Sequence, residues 1–285
     1  MKLDRVTLCC IDTHQHDLSA LAIRKSLQKI SFAKTIVLTD RGDHLDQGWD
    51  WLRIDPIRDY ASLNQLMLKG MPQHIDTDFM LNIQYDGFVI NPALWRNDYL
   101  DYDYIGAPWP DRPAPHNVGN GGFSLRSRRL LLALQDPRIQ VTAEVPWEDQ
   151  AICRLHRPLL EQEYGIRFAP IAVAQHFACE LPHPALSQPP HTFGFHGYCW
   201  MLQALTPSEI IYLAEKLADY SLKRSTIVGL AATLVLNNMD DAAAILIRRV
   251  AKHQSRTMFM EFCRISHFDP GTMAGMDKAW DRFVP

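Results

Sequence analysis

Apolar and polar positions alternate in blocks along the first part of the chain. Residues 5–11 (RVTLCCI) form an apolar run that predicts a buried strand, ended by Asp12-Thr13. Leu18, Leu21, Ala22, Ile23, Leu27 and Ile30 recur at helical spacing and predict a helix over 18–30. A second strand is predicted at 34–39 (KTIVLT), stopping at Asp40-Arg41-Gly42, and a short third at 51–54. An amphipathic helix at 60–69 precedes a fourth strand at 79–85 (FMLNIQY). Strand and helix in alternation favour a mainly parallel sheet with covering helices. Ligands of such sheets sit at the carboxyl ends of the strands, where Asp12, Asp40 and Asp86 all fall.

The pattern then changes twice. Residues 102–124 are rich in Pro, Gly and aromatics and read as loops around short strands. A helix is predicted over 147–164, ending near Gly165, and a strand over 166–173 (IRFAPIAV). Four prolines make 181–190 an irregular linker. Beyond it Thr206-Pro207-Ser208-Glu209 forms a capping box with Pro at the first helical position. The helix it opens is predicted to reach about Leu222, with another at 225–236 and a third after Asp240 or Asp241 that ends basic. The domain division drawn from this is 1–204 for an α/β body and 205–285 for an α-helical appendage.

Composition narrows the class only a little. The formal net charge of -3 gives no reason to expect nucleic acid or an anionic membrane as partner. None of the six cysteines makes a CxxC pair, which argues against a zinc knuckle. The longest apolar stretch, 227–236, is about half the ~20 residues needed to cross a bilayer. The expectation is a chain without a transmembrane segment, in the cytoplasm. The many apolar residues of the appendage need cover, which predicts a homodimer through the helical tail, packing within one chain, or an acceptor-bearing partner.

Four strings carry candidate chemistry. Gln84-Tyr85-Asp86-Gly87 offers a carboxylate at a strand end, suited to a hard divalent cation, and is equally a hairpin turn signal. Asn120, Gly121 and Gly122 in VGNGGFSLRS allow close backbone approach to a ligand, or form a plain glycine loop. Glu148-Asp149 at a helix start supplies a general base or serves the helix dipole. His196 in FGFHG is a metal ligand or a core histidine.

Together with YDGF, YDYIGAPW and FAP followed by an F-x-x-E, these strings resemble a group of bacterial proteins related to GT-A glycosyltransferases. The resemblance covers about residues 4–200 and is most specific from Asp86 to Asp149. It implies a GT-A-like α/β fold, a nucleotide-sugar donor, Mn2+ or Mg2+, and a glycan, lipid-linked or other hydroxyl acceptor, as in polysaccharide synthesis. Asp86 and His196 resemble metal ligands, and Asn120, Gly121 and Gly122 the loop facing donor and acceptor. Glu148 and Asp149 resemble the pair that supplies the base of inverting enzymes. Asp12, Thr13, Asp40 and Asp86 resemble donor contacts. The Asp-x-Asp of such enzymes is here Gln84-Tyr85-Asp86, one carboxylate short. Three readings follow: a metal-assisted glycosyltransferase, a nucleotidyltransferase, and a GT-A-like binding module without turnover.

Overall fold

The computed structural model describes residues 1–284, which divide into two compact units, one over Met1–Gly197 and one from Tyr198 onward. In the first unit, strand β1 (Lys2–Ile11) leads into helix α1 (His16–Leu27), strand β2 (Ser31–Thr39), strand β3 (Asp50–Arg53) and helix α2 (Tyr60–Gln65). Helix α2 widens into a π turn over Leu66–Gly70, so the helix expected over 60–69 is present in two pieces. Strand β4 (Phe79–Ile83) stops before Gln84 because Gln84 and Gly87 exchange backbone hydrogen bonds of 2.9 and 3.0 Å. Tyr85 and Asp86 are therefore the tip of a tight turn, as the Asp-Gly pair suggests.

Short strands β5 (Tyr104–Ile105), β6 (Ala107–Pro108) and β7 (Val118–Gly119) precede β8 (Ser124–Ser127) and helix α3 (Arg128–Ala133). The helix expected over 147–164 is broken into α4 (Glu148–Gln150), a π turn, and α5 (Arg157–Tyr164), which Gly165 ends with a positive φ of 62°. The strand expected at 166–173 is a misreading. Phe168 alone bridges to Tyr104, and Pro170 starts helix α6 (Ile171–Phe177), since its φ near -73° suits a helix start. Strands β9 (Ala178–Cys179) and β10 (Gly194–Phe195) pair in parallel and bring the last segment of the unit back to the turn at Asp86.

The main sheet has the order β3-β2-β1-β4-β8-β5. Its first four strands are parallel, and β8 runs antiparallel to both neighbours. The expected class, a mainly parallel α/β sheet with helices plus a helical C-terminal region, is the one the chain adopts. Cys9, Ile11, Ile36, Leu38 and Met80 pack together with Met67 and Met71 on one face, so Leu8 and Cys10 point to the other. Because β8 is antiparallel, its start lies at the same edge as the ends of β1 and β4. That puts the Asn120–Phe123 loop beside the Asp86 turn.

The second unit contains α7 (Met201–Ala204), α8 (Pro207–Lys216), α9 (Asp219–Leu222), α10 (Ile227–Leu236), α11 (Asp240–Ala251), α12 (Arg256–Ile265) and α13 (Pro270–Phe283). The Thr206–Glu209 capping box is formed on both sides. Helix α8 ends at Lys216, short of Leu222, and its last carbonyls receive Arg249: the guanidinium donates to Ala214, Glu215 and Leu217 at 2.6–2.9 Å. The sequence pattern underestimates the number of helices here, missing α12 and α13. Ile210, Leu213, Leu217, Ile227, Val228, Leu230, Leu234, Leu246, Ile247 and Val250 are all buried within the single chain. Of the same apolar set Ile211, Val235 and Ile245 are half-buried and Leu236 is exposed. No helix among the described residues is long and apolar enough to cross a membrane.

Candidate functional site

The site forms where the ends of β1 and β4 meet the loop before β8. Asn120 holds that loop. Its backbone has a φ of 75°, a left-handed conformation that asparagine tolerates. Its Oδ1 accepts the Gly122 and Phe123 amides at 2.8 and 3.2 Å, and its carbonyl accepts the Tyr104 hydroxyl at 2.9 Å. Gly121 is clamped at both ends of its peptide. The Asn82 amide donates to its carbonyl at 2.7 Å, and its own N–H donates to Asp149 Oδ2 at 3.0 Å.

Asp149 also accepts the Gln150 amide at 2.7 Å. Burial and the adjoining Glu148 carboxylate outweigh these donors and push Asp149 up to about 7. Glu148 has a different environment. Its Oε1 accepts Arg126 Nη2 at 2.8 Å, in a pair whose side chains are 0% and 10% exposed. The two adjacent acids thus divide: Asp149 faces the glycine loop, while Glu148 is tied to a buried cation.

His196 returns from β10 into the same space. Its Nε2 lies 3.3 Å from Gln84 Oε1 and 3.6 Å from Asp86 Oδ1, and its Nδ1 lies 3.4 Å from Glu180 Oε1. Burial opposes the imidazolium, but Asp86 and Glu180 outweigh it and push His196 up to about 9. Glu180 receives Trp109 Nε1 at 3.1 Å, and the Asn120 side chain also donates to it. Burial raises Asp86 despite His196, with Asp12 and Glu180 adding to the rise.

The remaining expected contacts lie at the ends of β1 and β2. Asp12 turns its carboxylate back onto the start of α1, accepting the His14 and Gln15 amides at 2.6 and 2.7 Å and the Ser19 hydroxyl. Thr13 Oγ1 accepts the Ile57 amide at 2.9 Å. Asp40 is paired with His16 Nε2 at 2.6 Å, and His16 meets the His44 ring edge-on. Burial opposes the Asp40 carboxylate, but the His16 hydrogen bond and charge hold it below its ordinary range.

The donor set does not fit a divalent ion as arranged. A ligating histidine needs a free ring lone pair, and both His196 nitrogens are engaged within the protein, Nδ1 by Asn120 Nδ2 at 3.1 Å and Glu180 Oε1 at 3.4 Å, and Nε2 by Gln84 Oε1 at 3.3 Å. Among the described residues, no group of three or more His, Cys, Asp or Glu side chains is arranged to hold a metal. Gln84, which stands one carboxylate short of an Asp-x-Asp, presents its amide oxygen to His196.

The sequence reading missed Glu180, Arg126 and Trp109. Glu180 was visible only as the acid of the F-x-x-E string. Arg126 carried a signal that went unused: on β8 it shares a face with Ser124 and alternates with Leu125, so an inward arginine required a buried acid.

Fold and site together define an α/β protein with a cluster of acids and a histidine at the carboxyl ends of a mainly parallel sheet. The chain belongs to the family described as "Protein of unknown function (DUF5672)", whose model matches residues 49–196. That span includes Asp86, the Asn120 loop, Glu148, Asp149, Glu180 and His196, and leaves out Asp12, Thr13, Asp40 and the helical unit. No curated protein matches the chain. Among solved structures it is similar to a glycosyltransferase involved in the glycosylation of the major capsid of PBCV-1. That likeness has 10% identity and a TM-score of 0.41, covering 67% of this chain and 91% of the other.

Proposed function

We propose that the chain is a glycosyltransferase that moves a sugar from a nucleotide-sugar donor to a hydroxyl acceptor, with inversion, residues 1–204 forming its catalytic domain. The observation that carries this reading is Asp149, held by the Gly121 amide and pushed up to about 7 by burial and Glu148. A base with a pKa near the working pH combines the right protonation state with the strongest driving force for proton transfer. In the step proposed, the acceptor oxygen bonds to the anomeric carbon as the bond from that carbon to the diphosphate oxygen breaks. The acceptor proton passes to Asp149, and the bonding pair leaves with the diphosphate. Asp12, Thr13, Asp40 and Asp86 are proposed as the donor side of the site. No step is assigned to Mn2+ or Mg2+, because His196 is engaged by Gln84, Asp86 and Glu180.

A binding module without turnover is the second reading. It is favoured by Gln84, which replaces a carboxylate and is occupied by His196.

A thermal-shift panel of UDP, GDP, CDP and dTDP sugars, with and without Mn2+, followed by product analysis, tests the proposal. Stabilisation by one donor and transfer of its sugar are expected. Donor binding without transfer or hydrolysis supports the module. No stabilisation by any donor overturns the reading.

A further inference from the structure

Arg126 is the largest fully buried side chain of the protein, and nothing in the proposed proton transfer uses it. It enters from β8 between Met80 of β4 and Tyr104 of β5, with its guanidinium carbon 5.5 Å from the Tyr104 ring centre. Its Nε donates to Ser124 Oγ at 3.0 Å and its Nη2 to Glu148 Oε1 at 2.8 Å. An arginine in this setting is strongly disfavoured without a carboxylate, and Glu148 answers it. The main chain of Glu148 is fixed as well, its amide donating to Asn64 Oδ1 at 3.1 Å while Asn64 Nδ2 donates to the Pro146 carbonyl at 2.6 Å.

Glu148 opens a helical run that continues without a break into the π turn Ala151–Leu155, whose Ile152 and Cys153 pack in the core. The first residue of that run is held by a side chain anchored from below by Arg126 and a main chain anchored from the side by Asn64. The next residue is Asp149, and its Oδ2 meets the Gly121 amide at 3.0 Å. A Cβ on Gly121 would collide with Glu148 Oε1, so the glycine loop rests directly on the anchored carboxylate. Sheet, helix start and loop thus meet through the Arg126–Glu148 pair.

We propose that Arg126 is a positioning residue: by anchoring Glu148 it holds the start of α4 so that the Asp149 carboxylate stays against the Gly121 amide. The proposal rests on Asp149 as the base of the site, and it deepens that reading by naming what aims the base.

Removing Arg126 alone strands a buried carboxylate and destabilises the chain whatever its role. The informative variants replace both partners, as Arg126→Met with Glu148→Met, and as Arg126→Gln with Glu148→Gln. Replacing a buried ion pair whole is often neutral for stability. Amide hydrogen exchange at Gly121 is read by NMR on the full chain, together with the melting temperature and, with the donor found above, turnover. With positioning, a folded double variant keeps its melting temperature within a few degrees while Gly121 exchanges at least ~10-fold faster, the worth of a lost charge-assisted hydrogen bond. Turnover falls in parallel. Gly121 exchange unchanged in a folded double variant overturns the proposal. Failure of both double variants to fold overturns it too, since the pair is then a support of the core. The exchange measurement needs no substrate, so a chain that transfers no sugar refutes the functional reading separately.

Discussion

The Gly121 amide donates to Asp149 Oδ2 at 3.0 Å, and the α-carbon of the same glycine faces Glu148 so closely that no side chain fits between them. One backbone position thus touches both members of the acidic pair, through opposite sides. Gly121→Ala forces the new methyl against Glu148 Oε1, a side chain held by Arg126 and unable to swing away. Overpacking of this kind costs roughly 1–3 kcal/mol. The expected result is a lower melting temperature together with loss of donor-dependent turnover. A Gly121→Ala protein with unchanged stability and activity means the loop is looser than described.

Asp149 predicts a pH dependence of its own. Its folded-state value of about 7 stands above the ordinary aspartate value of about 3.9, so the folded protein binds the proton more tightly than the unfolded chain. The sign follows: the native state is favoured below about pH 4, and that advantage is lost as the pH rises towards 7, by roughly 1.4 kcal/mol per unit. Asp149→Asn removes the titration. The stability of the variant relative to the parent should therefore improve between pH 5 and pH 8 in parallel denaturant titrations, even though one amide contact is lost. Turnover should fall at least ~100-fold with donor binding retained. A flat stability difference across that range shows that Asp149 is not perturbed.

The sequence pattern made the parallel half of the sheet legible because buried strands such as β1 and β2 are nearly continuous apolar runs. It misread 166–173 because Ile171, Ala172 and Val173 look like strand, while Pro170 in fact opens a helix that carries them. In the site, Asp86, Asn120, Gly121, Asp149 and His196 could be singled out through their strings taken together, since each alone is also an ordinary turn, loop or cap residue. Glu148 could not be told from Asp149 without knowing the partner of each. That partner, Arg126, lies on β8 and 22 residues distant in sequence, a pairing that no local pattern encodes. The apolar tail was legible as helices, but what covers each face was not, since that depends on packing that no local period encodes.

The helical unit offers a simple check. Thr206 accepts the Glu209 amide, and Glu209 returns its carboxylate to the Thr206 amide at 2.7 Å. Thr206→Ala removes one half of that exchange and should cost ~1 kcal/mol, the usual value of an N-cap. Hydrogen exchange should quicken in the first turn of α8 and leave α11 near its parent value. Uniform quickening across the unit indicates that α8 is a cooperative part of its core.

His196 predicts the opposite end of the pH profile. Asp86 and Glu180 raise it from its ordinary value to about 9, so the folded protein holds that proton more tightly than the unfolded chain does. Its contribution is fully present below about pH 6.5, the unfolded value, and is lost as the pH rises through about 9. A displacement of this size corresponds to roughly 3 kcal/mol when complete. Glu180 contributes in the other direction: its lowered value means that its share is complete above the ordinary glutamate value near pH 4.3 and is lost as the pH falls below it. The two windows overlap between about pH 4.5 and 6.5, and there the pair stabilises most. His196→Gln keeps a hydrogen-bonding side chain of similar reach but carries no charge, leaving Asp86 and Glu180 without their shared cation. The stability gap between parent and variant should be widest near pH 5–6 and should close above about pH 9. Urea unfolding of both proteins at half-unit steps reads this directly. A gap that persists undiminished at pH 10 shows that His196 acts through packing and not through its charge.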